Sequence, residues 1–161
     1  MDPQQLATSV AAAAGHLRRQ NVPSAKIGLI LGSGCGQLAD QIQAPTIFDY
    51  DDLPQFPGSS VIGHAGRLVC GELAGQQVIA MQGRFHLYEG HEFDVATLPV
   101  RVLHELGVQT LLISNAAGGL NPVFEYRLVI RSFLVRLAPL IGCALVIAPR
   151  RIQHSLFSAN F

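Results

Sequence analysis

The stretch "MQGRFHLYEGHE" (residues 81–92) places Arg84, His86, Tyr88, Glu89 and His91 just after a hydrophobic run. In an extended backbone, Arg84, His86 and Tyr88 fall on one side, and Phe85 and Leu87 on the other. One side would pack. The other would present a permanent cation, a switchable donor and a phenol. Arginine can grip phosphate in a fork, and histidine can share its proton with it. An ordinary solvated strand face would show the same alternation.

Three further stretches carry groups of the same character. "LILGSGCG" ends an apolar run in Gly-x-Gly-x-Gly, which lets backbone N–H groups converge on an anion, with the Ser33 hydroxyl as an extra donor. It lacks the spacing and lysine of a P-loop, and a plain tight turn has the same composition. "VIGHAGRLV" sets His64 among glycines, as a donor or as a loop histidine without a role. "SNAAGGLNP" follows another apolar run with small residues that let backbone approach a ligand, and Asn115 can donate or accept. A tight strand-to-helix connection fits it equally. The remaining polar groups point to structure. Asp49, Asp51 and Asp52 suit a solvated turn better than a metal site, His104 lies at helical spacing within 94–107 as a structural or exposed residue, and His16 and His154 lack a partner pattern. Cys35 is the right size for a small packing residue.

The elements that would position these groups can be read from periodicity. Residues 3–20 predict an amphipathic helix capped by Asp2-Pro3, with Leu6, Val10, Ala13, Ala14 and Leu17 on its inner face. "KIGLIL" (26–31) predicts a buried strand, and "QLADQI" a helical turn. "RLVCGEL" and "QQVIAM" flank Ala74-Gly75 as a hairpin. Residues 93–107 predict a helix stopped by Gly107 and disturbed in its first turns by Pro99. "VQTLLIS" (108–114) predicts a second buried strand. Strands alternating with helices indicate an α/β protein with a parallel or mixed central sheet, and ligands in such folds sit at the carboxyl ends of the strands.

The 161 residues suit one domain, and 49% hydrophobic against 14% charged residues excludes a disordered chain. Cys35, Cys70 and Cys143 are widely spaced, which fits a reducing compartment and no structural zinc site. No signal peptide is expected, because Arg18 and Arg19 follow the N-terminal apolar stretch rather than precede it. The zero net charge hides a break. Residues 1–125 hold all 11 acidic residues and 6 basic ones, net −5, whereas residues 126–161 hold five arginines and no acid. Fifteen of the 16 glycines also precede residue 126. The apolar run 137–149 is shorter than the roughly 20 residues a membrane span needs.

Taken together, "LILGSGCG", "GHAGRLVCGEL", "GRFHLYEG", "LPVRVLHELGV" and "SNAAGGLNP", in this order, resemble the trimeric, low-molecular-mass purine nucleoside phosphorylases. The resemblance runs from about residue 24 to 125, with Cys35 where the family often has leucine. It implies a phosphorylase-type α/β fold, a mixed central sheet flanked by helices, here truncated. It implies a cytoplasmic glycosyltransferase of purine salvage: phosphate attacks the anomeric carbon of a purine nucleoside, giving the base and (deoxy)ribose 1-phosphate. Inorganic phosphate is a co-substrate, with no metal or organic cofactor. By resemblance, Ser33, His64, Arg84, His86, Asn115 and Ala116 bind phosphate, and His86 is the catalytic residue that orients it. Tyr88 meets the ribose, and Ala116, Ala117 and Gly118 line the purine pocket. The partners implied are nucleoside and phosphate within a homotrimer, with no nucleic acid and no membrane. The alternatives are a non-catalytic phosphate-binding remnant and a sibling phosphorylase acting on methylthioadenosine or xanthosine. A dinucleotide-binding domain is disfavoured, because GxGxxG and its acidic ribose partner are absent.

After "NPVFE" the family continues with a Gly-Asp pair, an apolar strand and Asp-His-Ile-Asn. This chain reads "YRLVIRSFLVRLAPLIGCALVIAPRRIQHSLFSANF" instead. The expected organisation is therefore the N-terminal part of a phosphorylase domain over 1–125, followed by a divergent basic and apolar tail over 126–161 translated from another frame.

Overall fold

The computed structural model describes residues 2–32, 34–57, 65–117, 129–136 and 148–149. Helix α1 spans Pro3–Arg19, with Pro3 in its first turn and the Asp2 carboxylate accepting from the Gln4 N–H at 3.1 Å. It buries Leu6, Ser9, Ala13, Ala14 and Leu17. Strand β1 (Ile27–Leu31) follows, then a 3₁₀ turn over Gly36–Gln41. Strand β2 (Gln43–Asp49) was not expected. It is exposed along most of its length and contains Pro45, as an edge strand can.

Strands β3 (Arg67–Leu73) and β4 (Gln76–Gln82) form the expected hairpin. Ala74 and Gly75 both have positive φ, 50° and 75°, as a two-residue turn matched to strand twist requires. Helix α2 (Phe93–Glu105) runs through Pro99 without a break, and the proline ring is buried among the core residues Leu98, Val102 and Leu103. Strand β5 (Thr110–Ala117) comes next, then β6 (Val129–Arg136) and the short β7 (Ala148–Pro149).

The sheet is mixed, in the order β2-β3-β4-β1-β5-β6-β7. Among the described residues, β1 alone is parallel to the strands on both its sides, β4 and β5; the remaining pairings are antiparallel. Strand alternation divides the core. Ile30, Leu68, Cys70, Ile79, Met81 and Leu111 pack with α1 and α2 on one face. Leu29, Leu31, Val69, Val78 and Ala80 pack with Ala39 and Ile42 on the other. Two buried faces explain why β1 reads as an unbroken apolar run. Gly71 is required by its neighbour: a Cβ there would lie 2.5 Å from the Gln43 carbonyl, where β2 shifts register against β3.

Candidate anion-binding site

Because β4, β1 and β5 run parallel, their carboxyl ends lie side by side along one edge of the sheet. That edge gathers the loop after β1, the turn after β4 and the end of β5, which carry three of the four stretches read as anion-binding. After β1 the chain turns tightly: the Cys35 N–H donates to the Gly32 carbonyl at 3.0 Å, and Gly34 has φ +82°. After β4, Gly83 turns the chain with φ 122° and delivers Arg84 to the edge.

The Arg84 guanidinium faces two partners. Its Nε donates to His86 Nε2 at 3.3 Å, and its Nη1 reaches the Ser114 carbonyl at 3.4 Å. A cation and an imidazole thus point at each other at the strand ends. Phe85 turns the opposite way and is buried against Tyr50 and Phe56, with ring centroids 5.1 and 6.1 Å away. The expected alternation therefore holds from Arg84 to His86.

It fails beyond His86. Leu87–Glu89 form a 3₁₀ turn closed by Gly90 at φ 86°, so Leu87 is 57% exposed rather than packed. The cause is local hydrogen bonding. The Glu89 carboxylate accepts the His86 N–H at 3.1 Å, and the Glu89 N–H donates to the His86 carbonyl at 3.1 Å. Tyr88 is 79% exposed and stacks on His86, centroids 4.5 Å apart and 17° from parallel. His91 lies edge-on to Phe85, its Nε2 3.4 Å from Glu89 Oε2 without hydrogen-bond alignment.

Ser33, His64 and Gly118 lie outside the described residues. Gly66, two residues after His64, is at this same edge, its N–H donating to the Gln82 carbonyl at 3.0 Å. The backbones of Asn115, Ala116 and Ala117 continue β5, opposite Arg131, Ile130 and Val129 of β6. Their side chains are outside the description. Cys35 packs against the Leu29 and Leu31 cluster, as its size suggested. Asp51 and Asp52 are exposed.

Sequence reasoning missed the residues that support the site. The buried Tyr50 hydroxyl donates to the Gly83 carbonyl at 2.8 Å and anchors the turn before Arg84, and burial pushes the phenol's pKa upward. Gln82 and Ser114 hold the loop after β1. None of the three carries a local signal, because each bonds a partner more than 30 residues away. A concavity of about 420 Å³ lined by Asp2, Gln4, Gln5, Thr8, Ser9 and Gln55 contains none of the candidate ligands. Among the described residues, no three His, Cys, Asp or Glu side chains form a metal cluster.

Residues 26–132 match the family model described as the phosphorylase superfamily. The chain is 59% identical over 108 residues to purine nucleoside phosphorylase 1 of Bacillus subtilis, covering 66% of this chain and 40% of that protein. It is 52% identical over 109 residues to the Rattus norvegicus purine nucleoside phosphorylase, covering 68% and 38%. Among solved structures, the Schistosoma mansoni isoform 2 enzyme in complex with cytosine and ribose-1-phosphate superimposes with a TM-score of 0.66 at 43% identity, over 72% of this chain and 41% of that one. The chain thus spans about two fifths of the length of the curated relatives it matches.

Proposed function

The chain belongs to the phosphorylase superfamily, and on that premise we propose that its strand ends form the phosphate side of a purine nucleoside phosphorylase site. In the proposed reaction, phosphate attacks the anomeric carbon of a purine nucleoside, and the base leaves as pentose 1-phosphate forms. Positive charge grows on the sugar and negative charge on the purine. Catalysis then needs a pre-positioned phosphate and donors to the leaving base, with no metal or organic cofactor. Arg84 and His86 grip the phosphate with the Gly32–Gly36 loop, Ser33, His64, Asn115 and the Ala116 amide. Tyr88 meets the ribose, and Ala116, Ala117 and Gly118 line the base pocket.

The observation that carries this reading is the 3.3 Å approach of Arg84 Nε to His86 Nε2 at the shared edge of β4, β1 and β5. A phosphate placed there would take over the donor that the imidazole now accepts. The test is calorimetric titration of the 161-residue chain with inorganic phosphate, then an assay of hypoxanthine release from inosine. Phosphate binding that Arg84→Ala abolishes is expected. Release that depends on phosphate and on Arg84 extends the reading to full turnover. Binding without release marks a non-catalytic phosphate-binding remnant. An unaltered chain that binds no phosphate overturns the reading.

The tail is proposed to be divergent from residue 126 and read in another frame, on its acid-free, arginine-rich composition. Independent isolates with the same tail intact and in frame across codons 120–130 would refute this. A homotrimer and a cytoplasmic location are proposed on resemblance and cysteine spacing. Light scattering tests the first, and cell fractionation the second.

A further inference from the structure

The Gly32–Gly36 loop is held at both ends by side chains from the strands beside β1. At its start, the Gly32 N–H donates to Ser114 Oγ at 3.1 Å, and that buried hydroxyl reaches the Ile30 carbonyl at 3.4 Å. At its end, Gln82 Nε2 donates to the Gly36 carbonyl at 2.9 Å. Gln82 is itself fixed, because its Oε1 accepts from Arg67 Nε at 2.7 Å. Arg67 also lies 3.9 Å from Asp40, on the 3₁₀ turn that follows the loop.

Each of these two residues sits just ahead of a proposed phosphate ligand. Asn115 follows Ser114, and Arg84 comes two residues after Gln82. The Ser114 carbonyl also accepts from Arg84 Nη1 at 3.4 Å. So β5 and β4 each carry a residue already proposed as a ligand beside a side chain that holds the loop after β1. A loop free to move would lose conformational freedom on closing around an anion, and a loop already pinned would not.

Resting on the phosphate-site reading above, we propose that Ser114 and Gln82 are positioning residues. They fix Gly32 and Gly36, at the two ends of the loop after β1, relative to Arg84, and so set the width of the anion cradle. Neither is assigned a contact with the phosphate itself.

The test compares Ser114→Val with Ser114→Thr, which have nearly the same shape and differ in the hydroxyl. Inorganic phosphate is titrated into the full 161-residue chain. Ser114→Val is expected to bind about tenfold more weakly, the order of effect of one buried hydrogen bond, and Ser114→Thr to return to near the unaltered affinity. Gln82→Met is expected to weaken binding to a similar degree. It is only part-buried, so it keeps the test decisive if Ser114→Val fails to fold. Val102→Ala, which lowers stability from the α2 side of the core, is expected to leave phosphate affinity unchanged. Unaltered affinity in the folded variants among Ser114→Val and Gln82→Met overturns this inference and leaves the phosphate site standing. Absence of phosphate binding in the unaltered chain overturns both.

Discussion

Arg84 and His86 depend on groups that never reach the solvent edge. Tyr50 anchors Gly83 from below, and Cys70 lies fully buried on the same face of the sheet. Burial raises the pKa of both: Cys70 from an ordinary 9.0 to about 12, and Tyr50 upward from 10.0. The folded chain therefore holds both protons more tightly than the unfolded chain does. The stability these two groups contribute is expected to be full below about pH 9 and to fall as pH rises, first through the thiol and from about pH 10 through the phenol as well. The slope is roughly 1.4 kcal/mol per pH unit for each group, an upper limit reached when the unfolded group is fully ionised. Urea unfolding across this range should show it, and Cys70→Ala should move the onset from near pH 9 to near pH 10. The Arg84, Phe85 and His86 alternation was legible in the sequence because an extended backbone fixes which way side chains point. The exposure of Leu87 was not, because a single carboxylate three residues beyond His86 closes a turn that alternation cannot reveal.

The β3–β4 hairpin was legible from two residues, Ala74 and Gly75, and α1 from its cap and spacing. Strand β2 escaped notice because "QAPTIFD" carries a proline and polar residues and gains its place from pairing with β3 and from Phe48 against the core. That pairing depends on Gly71. Gly71→Ala should destabilise the chain by about 1–3 kcal/mol, because the Gln43 backbone carbonyl, as well as the Ile42 side chain, occupies the space. The check is the urea midpoint, with Gly75→Ala as a poor control, since its φ of +75° strains any other residue. Pro99 shows the converse error. An interior proline predicts disturbance, yet the helix runs on through Pro99, which is fully buried.

The alternation of strands and helices indicated a parallel or mixed sheet, and the sheet is mixed, with β1 between two parallel neighbours whose carboxyl ends meet where the site is proposed. The role of residues beyond 125 was not legible from composition. Strand β6 lies in the arginine-rich segment, yet it pairs with β5 along eight residues, from Thr110↔Arg136 to Ala117↔Val129. Removal of residues 126–161 would leave β5 as a bare edge, beside a Leu112 already 36% exposed. Concentration-dependent association of the shortened chain is expected by light scattering. A monodisperse shortened chain would show that β5 does not need this cover.

Strand β1 finds its partners at residues 78–82 and 110–113, far along the chain. A nascent polypeptide therefore lacks this edge of three parallel strands until β5 has been synthesised and docked, long after the β3–β4 hairpin can close. On the proposed phosphate-site reading, an anion that binds only the completed edge adds to native-state stability by mass action and does not speed folding.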